Sequence, residues 1–154
     1  GERKGGHRLV HNDFTTNFGS TLDPFLKETG INPSRIVVYN LWRRFDEDGV
    51  DTPFAVCDKR SVSEKELIPT DLFNYLPDQP EALTVEICQS SHSESHKWYF
   101  YPEMTKDEVL MFKTYDSDEK PFIPTLHSAF DYPDTPQGVT PRESIEVRAV
   151  CFFD

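Results

Sequence analysis

The stretch Pro141-Arg142-Glu143-Ser144-Ile145-Glu146-Val147-Arg148-Ala149-Val150 alternates polar and apolar residues in the way an extended strand does. Side chains two apart share one face of a strand. Arg142, Ser144, Glu146 and Arg148 therefore fall on one side, and Ile145, Val147, Ala149, Cys151 and Phe153 on the other. The apolar side is expected to be a core stripe. The polar side sets two guanidinium forks and a hydroxyl where a dicarboxylate can be held, because Arg binds carboxylate bidentately and Ser adds a donor. Taken alone, that side also reads as a solvated face on which Glu146 pairs with an arginine.

Working outward, further strands are expected at 7–12, 35–42, 53–57, 83–88, 97–101, 108–115 and 144–153, separated by turn chemistry. One short helix is expected at 22–29, with Asp23 near its start and Gly30 as its stop, and helical turns at 63–67 and 70–75. Aromatics make up 13% of the 154 residues and there are 12 prolines, which suits a β-rich chain with many turns. The fold class is accordingly mainly β, a sandwich or barrel with few short flanking helices, in a single domain over 1–154.

With 16 basic against 27 acidic residues, the net charge is −11, so neither nucleic acid nor an anionic membrane is an expected partner. The basic cluster Arg3, Lys4, His7 and Arg8 reads as a solvated end. No apolar run is long enough to span a bilayer as a helix, and no signal-peptide pattern is present. The 3 cysteines, Cys57, Cys88 and Cys151, form no CxxC pair, which argues against a disulfide framework and for a cytoplasmic location.

His11-Asn12-Asp13 puts an imidazole and a carboxylate on one face of a strand, where both can converge on a divalent iron ion. His127, in Pro124-Thr125-Leu126-His127-Ser128-Ala129-Phe130, is the candidate third ligand of a facial triad that leaves positions open for co-substrate and O2. Each piece alone has an ordinary reading, as a turn or a packed core histidine. The order HxD, distant His, then Arg142 and Arg148 is the order in which double-stranded β-helix oxygenases present metal ligands and co-substrate arginine.

A wider set of motifs runs in the same order: Val10-His11-Asn12-Asp13-Phe14-Thr15, Asn40-Leu41-Trp42-Arg43, Phe54-Ala55-Val56-Cys57-Asp58, Trp98-Tyr99-Phe100-Tyr101-Pro102, Glu108 through Ser117, His127-Ser128-Ala129-Phe130 and Pro141 through Arg148. Together they resemble the family of fungal gibberellin desaturase-like proteins, AsaB-type hydroxylase/desaturases and the cephem 7α-methoxylase accessory chain. The resemblance implies a double-stranded β-helix (a jelly-roll, cupin-like barrel) and Fe(II)- and 2-oxoglutarate-dependent hydroxylation or desaturation of a small organic metabolite. It further implies His11, Asp13 and His127 on iron and Arg142, Ser144 and Arg148 on 2-oxoglutarate, with O2 reduced and succinate and CO2 formed. Members of that family are longer at the N-terminus, so an N-terminal portion is expected to be missing here. Position 14 holds Phe where the family segment has Tyr.

Asn40, Trp42, Trp98, Tyr99 and Tyr101 are candidate walls of the substrate pocket. Lys113 reads as a snorkelling edge lysine, with co-substrate anchoring as the alternative. Two rival readings remain open at this level: a cupin-type iron site without 2-oxoglutarate, and a non-catalytic binding barrel. No oligomeric state is selected by the pattern.

Overall fold

The computed structural model describes residues 7–46, 51–73 and 85–154. Arg3, Lys4, the 77–81 loop, Leu83 and the end of the 70–75 turn lie outside those residues.

The strands are β1 (His11–Asn12), β2 (Arg35–Arg44), β3 (Phe54–Cys57), β4 (Leu67–Leu72), β5 (Val85–Ser90), β6 (Trp98–Phe100), β7 (Leu110–Asp116), β8 (His127–Ala129) and β9 (Ser144–Phe153). They form two antiparallel sheets, a six-stranded one in the order β4-β5-β1-β8-β3-β6 and a three-stranded one in the order β7-β2-β9. This is the mainly β jelly-roll architecture expected, with few helices.

The three-stranded sheet is organised by β2, whose run Ile36-Val37-Val38 is rich in β-branched residues and buried on both neighbours. A register shift between Val38 and Tyr39 bulges its pairing with β7. Ile36, Val38 and Tyr115 form a core with Phe14, Phe18, Leu22 and Leu26, the last three supplied by the helical segment at 18–29. A second core joins the sheets through Trp42, Met104 and Phe112 packed against Phe54 and Val56.

Helices α1 (Phe18–Thr21) and α2 (Asp23–Thr29) follow β1. Pro24 sits in the first turn of α2, where no N–H is needed, and Gly30 ends it at φ 71°, a left-handed conformation that glycine adopts without a Cβ penalty. A 3-10 turn at Glu64–Glu66 carries a Ser63/Glu66 capping box.

Two expectations are corrected, and one strand was not anticipated. Residues 67–72 form an edge strand, not helical turns; Pro69 is tolerated there because an edge needs fewer N–H donors. His127–Ala129 is a strand that no alternation announced, because it is only 3 residues long. The stripe on β9 is not core: Ile145 and Val147 are 49% and 54% exposed, beside Met111 at 63%. The polar side of β9 turns inward.

Candidate metal centre

β1 lies between β5 and β8, and the register sets His11 directly opposite His127. Cross-strand partners on one face are nearest neighbours, so the two imidazole rings come within 4.5 Å between centroids. His11 Nδ1 bonds to the Leu9 carbonyl at 2.7 Å and His127 Nδ1 to the Thr125 carbonyl at 3.2 Å. Those bonds turn both Nε2 atoms toward Asp13, whose carboxylate oxygens lie 3.9 Å from His11 Nε2 and 3.8 Å from His127 Nε2.

The donor atoms of His11, Asp13 and His127 all lie within 4.8 Å of one another. Two cis donors bound at about 2.1 Å to one ion stand about 3 Å apart, so the set closes on a metal by a contraction of roughly 1 to 2 Å. Two imidazoles and a carboxylate are the donor set of a facial triad for non-haem iron. Burial lowers the His127 pKa and keeps the ring neutral. Burial pushes the Asp13 carboxyl up, but attraction to His127 when that ring is protonated, attraction to Arg148, and hydrogen bonds from Arg148 and Asn40 outweigh it and hold the group below its ordinary range. Neutral imidazole and ionised carboxylate are the forms that bind a metal.

The three residues open onto a cavity of about 380 Å³. Its far wall is the inner side of β9 and the segment before it: Arg142, Ser144, Glu146 and Arg148 all line it. Arg148 donates to Asp13 Oδ1 at 2.6 Å and pairs with Glu146 at 2.9 Å. Arg142 lies with its guanidinium carbon 5.3 Å from the centre of the Trp42 ring, and it donates to the carbonyl of Thr52, a residue held at φ 51°. Burial lowers the Arg142 pKa, and burial followed by the charge of Asp13 raises that of Glu146. The remaining wall is apolar: Phe14, Trp42, Phe54, Leu72, Val85 and Ile87.

Of the suggested pocket walls, Trp42 lines this cavity. Asn40 is fully buried and bonded to Asp13 instead. Trp98 and Tyr99 surround a separate groove of about 510 Å³ with Arg8, Val10 and Phe130, because β6 is the edge strand beyond β3. Tyr101, just past β6, borders a small pocket beside Met104. Lys113 is spent on Asp116 and Glu119, at 2.6 and 3.2 Å. Sequence reasoning left His7 in a solvated cluster, yet it lines the cavity with its ring 5.3 Å from that of His11. Its parity with His11 and Asp13 along one extended segment was the available signal.

A family model described as an oxidoreductase/YMDC permease-like domain matches residues 1–152. Among the described residues, no helix is long and apolar enough to cross a membrane. The chain is 36% identical over 119 residues to the Fe(II)/2-oxoglutarate-dependent dioxygenase nvfI of Aspergillus novofumigatus, covering 77% of this chain and 41% of that protein. It is 29% identical over 132 residues to the hydroxylase/desaturase asaB of Aspergillus flavus, covering 79% of this chain and 57% of the other. A solved structure of the iron and alpha-ketoglutarate-dependent endoperoxidase NvfI superposes with a TM-score of 0.78 at 32% identity, over 96% of this chain and 53% of that one. The chain thus spans less than two thirds of the length of each.

Proposed function

The chain belongs to the oxidoreductase/YMDC permease-like domain family, and from that premise we propose that it carries an Fe(II)- and 2-oxoglutarate-dependent oxidation of a small organic metabolite. The observation that carries the reading is one cavity bordered by His11, Asp13 and His127 on one side and by Arg142, Ser144 and Arg148 on the other. Residues 1–154 are read as one oxygenase domain acting in secondary metabolism in the cytoplasm, without nucleic acid or membrane as partner.

His11, Asp13 and His127 hold the iron. When bound, iron with 2-oxoglutarate activates O2 for C–H oxidation, and the co-substrate leaves as succinate and CO2. Arg142 and Ser144 supply a cation and a hydroxyl to the carboxylates of 2-oxoglutarate, and Arg148 lies between them and Asp13. Glu146 lines the same cavity paired with Arg148 at 2.9 Å, and that cation offsets its repulsion of an entering dicarboxylate. Phe14, Leu72, Val85 and Ile87 offer an apolar surface that excludes water and orients the substrate; hydroxylation or desaturation follows from how that surface places the C–H bond.

Anaerobic titration of the chain with Fe(II) and 2-oxoglutarate tests this, read as visible metal-to-ligand charge-transfer absorption. A band that needs both additions supports the proposal. Iron uptake without a band at saturating 2-oxoglutarate restores the cupin-type alternative, and a folded chain that takes up no iron overturns the proposal.

A further inference from the structure

An asparagine in the middle of β2 needs a reason. Asn40 interrupts the apolar run of the central strand and is fully buried. Burying an amide is unfavourable unless its hydrogen bonds are met, and an apolar side chain would avoid the problem. The amide has three partners, one of them Glu146, which accepts from it. Its Nδ2 donates across the sandwich to Asp13 Oδ2 at 2.6 Å, and its Oδ1 accepts from Thr114 Oγ1 at 2.9 Å.

Thr114, on β7, is fully buried as well. Its hydroxyl has one proton, and the other acceptor in reach is the Val38 carbonyl at 3.4 Å. Donation to Asn40 is the shorter bond and fixes the amide with nitrogen toward Asp13. The reverse orientation would set a carbonyl oxygen against the carboxylate, two acceptors with no proton between them. The carbonyl of Thr114 also accepts from Asn12 Nδ2 at 3.0 Å, and Asn12 separates His11 from Asp13 in the chain. Asn12 Nδ2 bonds the Phe14 carbonyl too, at 2.7 Å. One residue of the three-stranded sheet therefore holds the His-Asn-Asp segment at the Asn12 side chain and, through Asn40, at the Asp13 carboxylate.

We infer that Asn40 and Thr114 are a positioning pair that sets the rotation of the Asp13 carboxylate and so the oxygen offered to the metal; this rests on the iron reading above. Arg148, on the other carboxylate oxygen, is 43% exposed at its side chain and lies in the cavity where water and co-substrate compete for it. Asn40 is fully buried, away from water, and shares its amide between Asp13 and Glu146. Outer partners of metal ligands orient the ligand and tune its affinity.

Co(II) serves as the probe, titrated anaerobically into the chain and read as a dissociation constant and as ligand-field absorption. Thr114→Val keeps the shape and removes the hydroxyl; it is expected to weaken Co(II) about 10-fold and to shift the ligand-field bands. Thr114→Ser restores both. Asn40→Asp, which faces Asp13 with a second acceptor, is expected to weaken Co(II) about 100-fold. Thermal melts of the metal-free variants report folding separately, and if Asn40→Asp does not fold, the Val and Ser variants at 114 decide. Wild-type affinity and an unchanged spectrum in Thr114→Val, with only a lower melting point, would overturn the inference. A wild-type chain that binds no Co(II) would overturn the iron reading, and the inference with it.

Discussion

Across one cavity the two sheets present different chemistry. The six-stranded sheet contributes the imidazoles of His11 and His127 and the apolar side chains of Phe54, Leu72, Val85 and Ile87. The three-stranded sheet and the segment leading into it contribute Arg142, Ser144, Glu146 and Arg148. Neutral donors and apolar surface suit a metal and a substrate; fixed cations suit an anion. Because the two sets ride on different sheets, the proposed metal and anion affinities are expected to be separable by mutation, and Asp13 is where the sets meet, touched by Asn40 and Arg148 from the smaller sheet.

The sharpest break in that division is His127→Ala. Removing an outer partner of a ligand costs about 10- to 100-fold in metal affinity, so losing a ligand itself is expected to exceed about 100-fold, measured by anaerobic Fe(II) titration. Arg142→Ala tests the opposite side. Truncating one partner of a buried charged pair costs about 3 kcal/mol, or roughly 100-fold in 2-oxoglutarate affinity by titration of the charge-transfer band, with Fe(II) affinity alone nearly unchanged. A parallel loss of Fe(II) binding would show that the sheets do not act separately.

Next in size is a change far from the cavity. Asp116 closes the end of β7 on β2, accepting from Arg35 at 2.9 and 2.6 Å and from Lys113 at 2.6 Å. Hydrogen bonds from Arg35, opposed by burial and joined by Lys113, hold its carboxyl far below the usual range. A depressed folded-state pKa contributes stability above the unfolded value of about 4, and that stability is lost as pH falls toward the folded value. With Arg35 41% exposed, solvent screening discounts the pair, and Asp116→Asn is expected to cost about 1–3 kcal/mol at pH 7. Denaturant melts across pH 2–7 should show a flatter acid limb in the variant, with Fe(II) binding retained.

The smallest effect is expected on the outer side of β9. Val147→Thr at a half-exposed site should change stability by less than about 0.5 kcal/mol. A loss above about 1.5 kcal/mol in the same melts would show that this side is covered in solution.

What was legible in sequence depended on range. The parity of Arg142, Ser144, Glu146 and Arg148 is local, and it correctly placed the four on one side of β9. Parity does not say which side meets protein, so Ile145 and Val147 were taken for core when the polar side was the inward one. His127 was found from its place in the order of ligands and from its motif, since its strand is too short to alternate. The Asn12, Asn40 and Thr114 network was not legible as a network, because it joins three distant segments through a bulged sheet; only Asn40, a polar break in an apolar run, stood out, and it was taken for a pocket wall.

The stack of Arg142 on Trp42 also has an optical consequence. The chain has 2 tryptophans, and Trp42 is buried between Arg142 and Phe54, whose ring centroid lies 4.8 Å from its own. A cation held over an indole perturbs its electronic environment. Any dicarboxylate that draws Arg142 off that ring therefore alters Trp42 emission, while a water-soluble quencher reaches the more exposed Trp98 first. The arginine end of the cavity carries its own fluorophore.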